Sequence, residues 1–368
     1  MIKTNDNTKN TPPKSCYIHI PFCKNICSYC DFCKMYYNEN YINSYLEALK
    51  NEITTTYKKE TLKTIYIGGG TPSSLKKDEL EKLFEITNIL KTEKNYEFTF
   101  ECNIENITKD LLILLKENKV NRLSIGIESF NKHVLKILGR KYDPLVKKKI
   151  ELAKKYFDNI NIDIIYGVNG ETLTDLKNDI KKFIELDIPH ISLYSLILEN
   201  NTLLKIQNYK EIDEDLNRKM YDYLCETLKK HGYIHYEISN FTKPNYTSKH
   251  NLTYWNNEKY YGFGLGASGY INNIRYTNTR NIKKYLNNNY TYIKEVIDKQ
   301  IDMENFMILG LRKLDGVSNK SFYDKYSKNI NEVFDTHKLG FKKGNYYIKE
   351  NDLYISNQIL CDFININS

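Results

Sequence analysis

The stretch CYIHIPFCKNICSYCDFC, residues 16–33, decides the fold of this chain. Its first five residues, Cys16–Ile20, are short and apolar and read as a strand. Three cysteines follow at once, Cys23, Cys27 and Cys30, in the spacing CxxxCxxC. One tight loop after a strand therefore supplies three thiolates. A [4Fe–4S] cube needs four ligands, one per iron, so three protein ligands leave one iron open. An open metal position takes a small molecule, much as a catalytic zinc keeps a free site. Zinc is the competing reading, but zinc usually pairs one CxxC with a second pair elsewhere, and the sequence offers none. Cys33 could complete a set of four, although a cube ligated four times from one ten-residue loop would be strained. Cys16, Cys102, Cys225 and Cys361 read as core residues.

Outward from this loop, strands and helices alternate. Leu62–Ile67 reads as the second strand and runs into Gly68-Gly69-Gly70. Tyr96–Cys102, Arg122–Ile127, Ile160–Tyr166 and Ile191–Leu198 read as the next four. Helical spacing of apolar residues fills the gaps over Tyr41–Tyr57, Leu80–Leu90, Leu111–Lys116, Pro144–Tyr156 and Leu173–Leu186, and Leu216–His231 follows the last strand. Six such units predict an α/β fold, a partial (β/α)6 TIM-like barrel on a parallel sheet. Chemistry in such barrels sits at the C-terminal ends of the strands. The cysteine loop follows strand one, the glycine run follows strand two, Glu101 ends strand three, Glu128 follows strand four and Asp163 lies on strand five. After residue 235 the pattern changes: Tyr, Asn and Gly are dense to Tyr276, helical segments follow, and Leu339–Ile366 reads as a short hairpin with a terminal helix. The expected divisions are a disordered arm over residues 1–14, a core domain over 15–235 and a smaller, mainly α-helical C-terminal domain over 236–368.

Apolar residues make up 41% and charged residues 27% of the 368, as in soluble globular proteins. No apolar run is long enough to span a bilayer. The first fifteen residues, MIKTNDNTKNTPPKS, lack the hydrophobic core of a secretory signal, so a cytoplasmic location is expected. The formal net charge is +8, carried mostly by dispersed lysines. It reads as compositional bias and a solvated surface, with attraction to an anionic partner as the sharper alternative. No dense basic block stands beside a nucleic-acid motif, so no nucleic-acid partner is expected.

YIHIPFCKNICSYCDFCK (17–34) resembles the radical S-adenosylmethionine (radical SAM) superfamily, and within it the oxygen-independent coproporphyrinogen III oxidase family and its close relatives, the HemW heme chaperones. The resemblance extends over nearly the whole chain, through TIYIGGGTPS (64–73), FECNIEN (100–106), NRLSIGIESFN (121–131), LGRKYD (138–143), NIDIIYGVNGET (161–172) and residues 236–270. It implies that the methionyl amine and carboxylate of S-adenosylmethionine chelate the open iron and that an electron from the cluster splits the sulfonium bond. It also implies cofactor contacts at Tyr17, Tyr29, Gly69, Gly70, Thr71 and Glu101, and further polar cofactor or substrate-pocket positions at Glu128, Arg140 and Asp163. Glu128 departs from the family's usual glutamine and adds a negative charge. Independently, three successive glycines after a strand let backbone approach a ligand closely, and a carboxylate at the end of an apolar strand is costly unless it is partnered.

Three features resemble the chaperone branch more than the oxidase. Cys30 is followed by Asp31-Phe32 where the oxidase type has Gly-Cys, and only about twenty residues precede the cluster motif, where the oxidase carries a longer extension. His250-Asn251-Leu252-Thr253-Tyr254-Trp255 matches the HNxxYW motif of the HemW group. Neutral imidazole is a common axial heme ligand, and aromatic neighbours pack on porphyrin faces. His250 is thus a candidate heme ligand, with a buried, loop-capping histidine as the plain alternative; His19 and His235 are weaker candidates. Ser268-Gly269 stands where relatives often place a histidine. The implied function is a heme chaperone that binds heme and delivers it to apoproteins, with an electron donor for the cluster and no residue in a catalytic role. Peripheral contact with the inner face of the membrane stays open, and coproporphyrinogen III dehydrogenation is the alternative.

Overall fold

The computed structural model describes residues 11–364, so most of the expected N-terminal arm, residues 1–10, lies outside the described residues. Six strands run in chain order: β1 Ser15–Ile20, β2 Leu62–Gly69, β3 Thr92–Asn103, β4 Arg122–Glu128, β5 Asn159–Tyr166 and β6 His190–Ser195. All five neighbouring pairs are parallel. Each crossover carries a helix, in order α1 Glu39–Thr56, α2 Lys77–Thr87, α3 Lys109–Glu117, α4 Val146–Lys154 and α5 Leu173–Leu186, with α6 Glu214–Lys230 after the last strand. This is the expected partial (β/α)6 barrel.

Local sequence explains these elements. Helix α1 places Ile42, Tyr45, Leu46, Leu49 and Ile53 on one buried stripe, and the Asn38 side chain caps it by accepting from the Asn40 N–H. Helix α5 opens with a capping box between Thr172 and Asp175 and buries Leu176, Ile180 and Phe183. The strands obey the two-residue period. Cys16, Ile18 and Ile20, Phe98, Phe100 and Cys102, and Leu123, Ile125 and Ile127 are all buried in the layer between sheet and helices. The alternate positions are mostly polar. Tyr17, Tyr66, Glu101, Ser124, Asp163 and Tyr194 face the barrel interior and line one cavity.

Beyond residue 233 the chain keeps adding strands. Ile234–Glu237 (β7) and Asn240–Thr242 (β8) extend the sheet antiparallel past β6. Tyr260–Phe263 (β9) returns to the opposite edge and pairs parallel with β1, and Ser268–Ile271 (β10), Ile274–Asn278 (β11) and Thr291–Val296 (β12) continue antiparallel from it. One twelve-stranded sheet results, in the order β12-β11-β10-β9-β1-β2-β3-β4-β5-β6-β8-β7, with both ends unjoined. The expected boundary at residue 235/236 therefore falls inside a strand of this sheet. The short, Tyr- and Asn-rich strands lack the apolar runs that marked the first six. The helical part of the C-terminal region begins later, at Lys299–Gly310, and builds its own core from Met303 to Phe363 beside a three-stranded sheet.

Candidate iron–sulfur and cofactor site

The cysteine loop is pinned on three sides. The Pro21 carbonyl accepts from the Met35 N–H at 2.8 Å, and the Cys23 carbonyl accepts from Tyr37 at 2.9 Å. Ser28 donates from its backbone to the Leu138 carbonyl (3.1 Å) and from its hydroxyl to the Ile137 carbonyl (2.6 Å). The Thr71 N–H reaches the Phe22 carbonyl at 2.9 Å. These bonds fix the loop backbone at both ends and at Ser28, between the second and third cysteines.

Cys23 is buried, whereas Cys27 and Cys30 are half-buried, and all three open onto the cavity at the C-terminal ends of the strands. The Thr71 hydroxyl stands 3.6 Å from Cys23 Sγ, and Arg140 Nη1 3.9 Å from Cys27 Sγ. Burial pushes the Cys23 thiol up to about 11, and it raises Cys27 and Cys30 as well. Metal binding at these sulfurs must therefore displace protons. Among the described residues no group of three or more His, Cys, Asp or Glu side chains closes on a single metal-ion position. A four-iron cube takes its thiolates at separate corners, so this donor set fits a cube with one unligated corner.

The glycine run makes room for this arrangement. A Cβ on Gly68 would lie 2.6 Å from the Glu101 carboxyl carbon, and one on Gly70 would lie 2.8 Å from both Cys23 Sγ and the Pro21 carbonyl oxygen. Gly69 has φ +120°, and a Cβ there would overlap the His19 ring at 2.7 Å. The glycines thus admit three functional side chains as well as leaving backbone bare toward a ligand.

Glu101 accepts from the Tyr66 hydroxyl at 2.7 Å and from the Gly69 N–H at 3.0 Å. Enclosure still pushes its carboxyl up to about 7. Asp163, held by Ser124 (3.1 Å) and Asn161 (2.9 Å), is also raised by burial. Glu128 ends β4 with a left-handed φ of 66°, a strained backbone for a non-glycine residue, and burial lifts it to about 7. Arg140 ties these parts together. It donates to Asn103 Oδ1 and to the Gly126 carbonyl, both at 2.9 Å, and stands 4.0 Å from Glu128. Tyr17 and Tyr29 line the same cavity. The fold thus gathers the three cysteines and all but two of the remaining sequence-chosen residues around one space.

The first exception is His250, which is 1% exposed and lies outside the cavity lining. Its Nδ1 is bonded to the Thr64 hydroxyl at 2.7 Å and its Nε2 to the Tyr254 hydroxyl at 2.8 Å. Burial holds it neutral, at about 3. Both ring nitrogens are occupied in the floor of the barrel, the geometry of the plain alternative, a buried structural histidine, and not of a ring open to a ligand. Its neighbours Tyr254 and Trp255 do reach the cavity. His235 stacks on Phe241 at 3.9 Å, also outside the lining. Sequence reasoning missed Tyr66 and Asn103, although both sit in quoted motifs at the inward phase of their strands.

The cavity measures about 1620 Å³. That exceeds the roughly 300–1,000 Å³ common for single small-ligand sites, and leaves room for a second ligand beside a nucleoside cofactor.

The fold and this loop define a radical SAM protein, and a family model described as the Radical SAM superfamily matches residues 17–183. A second, the HemN C-terminal domain, matches residues 297–355. The heme chaperone HemW of Lactococcus lactis subsp. lactis (strain IL1403) is 42% identical over 332 residues, 88% of this chain and 87% of the relative. The heme chaperone HemW of Bacillus subtilis (strain 168) is 39% identical over 363 residues, 94% of this chain and 96% of the relative. The structure of coproporphyrinogen III oxidase (HemN) from Escherichia coli, a radical SAM enzyme, superposes with a TM-score of 0.84 over 96% of this chain and 90% of that one. At 19% identity that likeness concerns the fold. The chain belongs to the HemW family.

Proposed function

We propose that this protein is a heme chaperone, which carries a [4Fe–4S] cluster on Cys23, Cys27 and Cys30, binds S-adenosylmethionine beside it and delivers heme to acceptor apoproteins. The observation that carries the reading is the large cavity onto which three thiols of one pinned loop and a set of buried carboxylates open together. When bound, the cluster would supply an iron for the cofactor's amine and carboxylate to chelate, and an electron received from a donor protein.

The chain's own residues bind and orient. The Gly69-Gly70 backbone and Thr71 border the cofactor. Glu101, fixed by Tyr66 and Gly69, offers an acceptor suited to a ligand that carries a sulfonium charge and an amine N–H. Asp163 and Glu128 extend the same acidic floor, Arg140 neutralises part of it beside Cys27, and Tyr17 and Tyr29 shield the site from water. No side chain is assigned proton transfer. Among the described residues no helix is long and apolar enough to cross a membrane. We place the protein in the cytoplasm, with its basic surface as the means of peripheral contact with membrane-bound acceptors.

The test is anaerobic reconstitution followed by heme transfer. About four irons per chain are expected for the native protein and for Cys33→Ser, and near none for Cys23→Ser, Cys27→Ser or Cys30→Ser. Hemin loaded onto the native protein should pass to an apo-acceptor. Conversion of coproporphyrinogen III to protoporphyrinogen by the same preparation would replace the chaperone reading with the dehydrogenase one.

A further inference from the structure

We infer that the cavity holds its porphyrin by the two carboxylates and the flat faces, and leaves the central metal without a histidine ligand. The inference rests on the heme-chaperone reading and goes further, by defining what part of the cargo is recognised.

The first observation is a wall of cations. Arg275 on β11, Arg280 just beyond it and Lys284 on the helix Ile282–Leu286 all line the cavity. Among the described residues none of the three has a carboxylate within ion-pair distance. Arg275 is steadied by neutral oxygens, Asn305 Oδ1 and Asn257 Oδ1 at 3.1 Å each, and Arg280 by the Asp31 carbonyl at 2.6 Å. Oriented but un-neutralised guanidinium groups are suited to a ligand's carboxylates. The acidic floor of Glu101, Glu128 and Asp163 lies on the other strands, so the cavity separates into a zone for a cationic ligand and a zone for an anionic one.

The second observation is apolar surface at the mouth. Phe32, Ile197, Tyr292 and Ile293 are large side chains, each more than half exposed, and all line the same cavity. Exposed apolar residues gathered at a charged rim mark a site for an amphiphilic ligand. A dicarboxylate macrocycle fits both zones at once.

The third observation concerns the metal. All seven histidines lie within the described residues, and only His19 lines the cavity. Burial lowers His19 to about 4 and keeps it neutral, so it has one N–H and one lone pair. Nε2 stands 2.6 Å from the Cys33 carbonyl, which only accepts, so Nε2 carries the proton. The Nδ1 lone pair then takes the Tyr17 hydroxyl at 2.9 Å. Nothing on this ring remains for iron. A carrier that leaves the metal without imidazole keeps it accessible to a ligand from the acceptor.

The test titrates the full-length protein with hemin, iron-free protoporphyrin IX and protoporphyrin IX dimethyl ester, reading the quenching of Trp255, the single tryptophan, which lines the cavity. Hemin and protoporphyrin IX should bind within about threefold of each other, and the ester at least about tenfold more weakly, the loss of two charge-assisted contacts. Lys284→Met and Arg280→Met should weaken both free acids by about three- to tenfold and leave the ester unaffected. Hemin binding without protoporphyrin binding, or loss of hemin alone in Cys33→Ala, would show that the metal is gripped and overturn the inference while sparing the chaperone reading. Equal affinity for acid and ester would overturn it as well. Failure of all three porphyrins to bind would remove the chaperone reading and the inference together.

Discussion

His250 and Thr64 are 186 residues apart in the chain, yet the imidazole Nδ1 and the threonine hydroxyl meet at 2.7 Å. The contact joins the helix Lys249–Trp255 to β2 in the floor of the barrel, and the His250 N–H also bonds Glu97 at 3.0 Å. Replacing His250 by alanine removes a fully packed ring and strands two hydroxyls, those of Thr64 and Tyr254. A loss of about 2–4 kcal/mol is expected from the cavity and the unpaired groups. Urea unfolding measures it. Protoporphyrin affinity, taken at low urea where the variant is folded, should stay within about threefold of the native value, as expected of a residue away from the ligand. A folded variant that no longer binds porphyrin would return His250 to the binding site.

That pair also marks where sequence reasoning ends. The cysteine loop, the glycine run and the six βα units were legible because each is local: a spacing within eight residues, a period of two, a period of 3.6. Glu101 was legible as a charged residue at the end of an apolar strand, and Glu128 and Asp163 through the motifs of the family resemblance. What a histidine bonds to across the barrel has no local signature. Nor has the parallel pairing of Ser15–Ile18 with Tyr260–Phe263, which closes a gap of some 245 residues and carries the later strands to the sheet edge. The C-terminal composition announced a change of pattern, and without long apolar runs it concealed that the change was more sheet. The cation wall escaped notice for the same reason, since Arg275, Arg280 and Lys284 are unremarkable among 54 basic residues until the fold turns them toward one space.

Gly69 tests the close packing around the cluster loop. Its φ of +120° disfavours any L side chain, and the methyl of Gly69→Ala would meet the His19 ring at 2.7 Å. His19 cannot retreat without giving up the Cys33 carbonyl or the Tyr17 hydroxyl. The substitution should destabilise by about 2 kcal/mol or more, through strain and displacement together. Chemical denaturation gives the number. Iron incorporation should also fall, since His19 holds the end of the cysteine loop at Cys33. A variant with native stability and full iron content would mean that the loop relaxes freely and is not pinned.

The strand Thr291–Val296 is an open edge. It pairs with one neighbour only, all six residues are exposed, and Tyr292, Ile293 and Val296 present large apolar groups there. An unpaired edge of this kind templates pairing with other chains unless charge interrupts it. Lys294 and Glu295 supply opposite charges and so give little net repulsion. Val296→Lys should therefore slow aggregation on mild heating, followed by light scattering, while changing stability by no more than about 0.5 kcal/mol, as usual for an exposed site. Unchanged aggregation would place the sticky surface elsewhere.

Glu52 gives a pH dependence of defined sign. It sits on the buried face of α1 and accepts from the Gly264 N–H at 2.8 Å, the Tyr285 hydroxyl at 2.6 Å and the Asn278 amide at 2.5 Å. These donors favour the charged form, yet desolvation outweighs them and pushes the carboxyl up to about 7. The folded value lies above that of an unfolded glutamate, near 4.3. The protein therefore binds more protons folded than unfolded in this window, and the stability contributed is full below about pH 4.3 and lost as pH rises through 7. Glu52→Gln cannot ionise and escapes that loss. Relative to the native protein, the variant should gain stability by on the order of 3 kcal/mol between pH 4 and pH 8, whatever its absolute stability. Urea midpoints of both proteins at several pH values isolate this difference, because the other buried carboxylates are common to both. A gap that stays constant with pH, or that narrows toward the alkaline side, would mean that the three donors hold Glu52 ionised throughout.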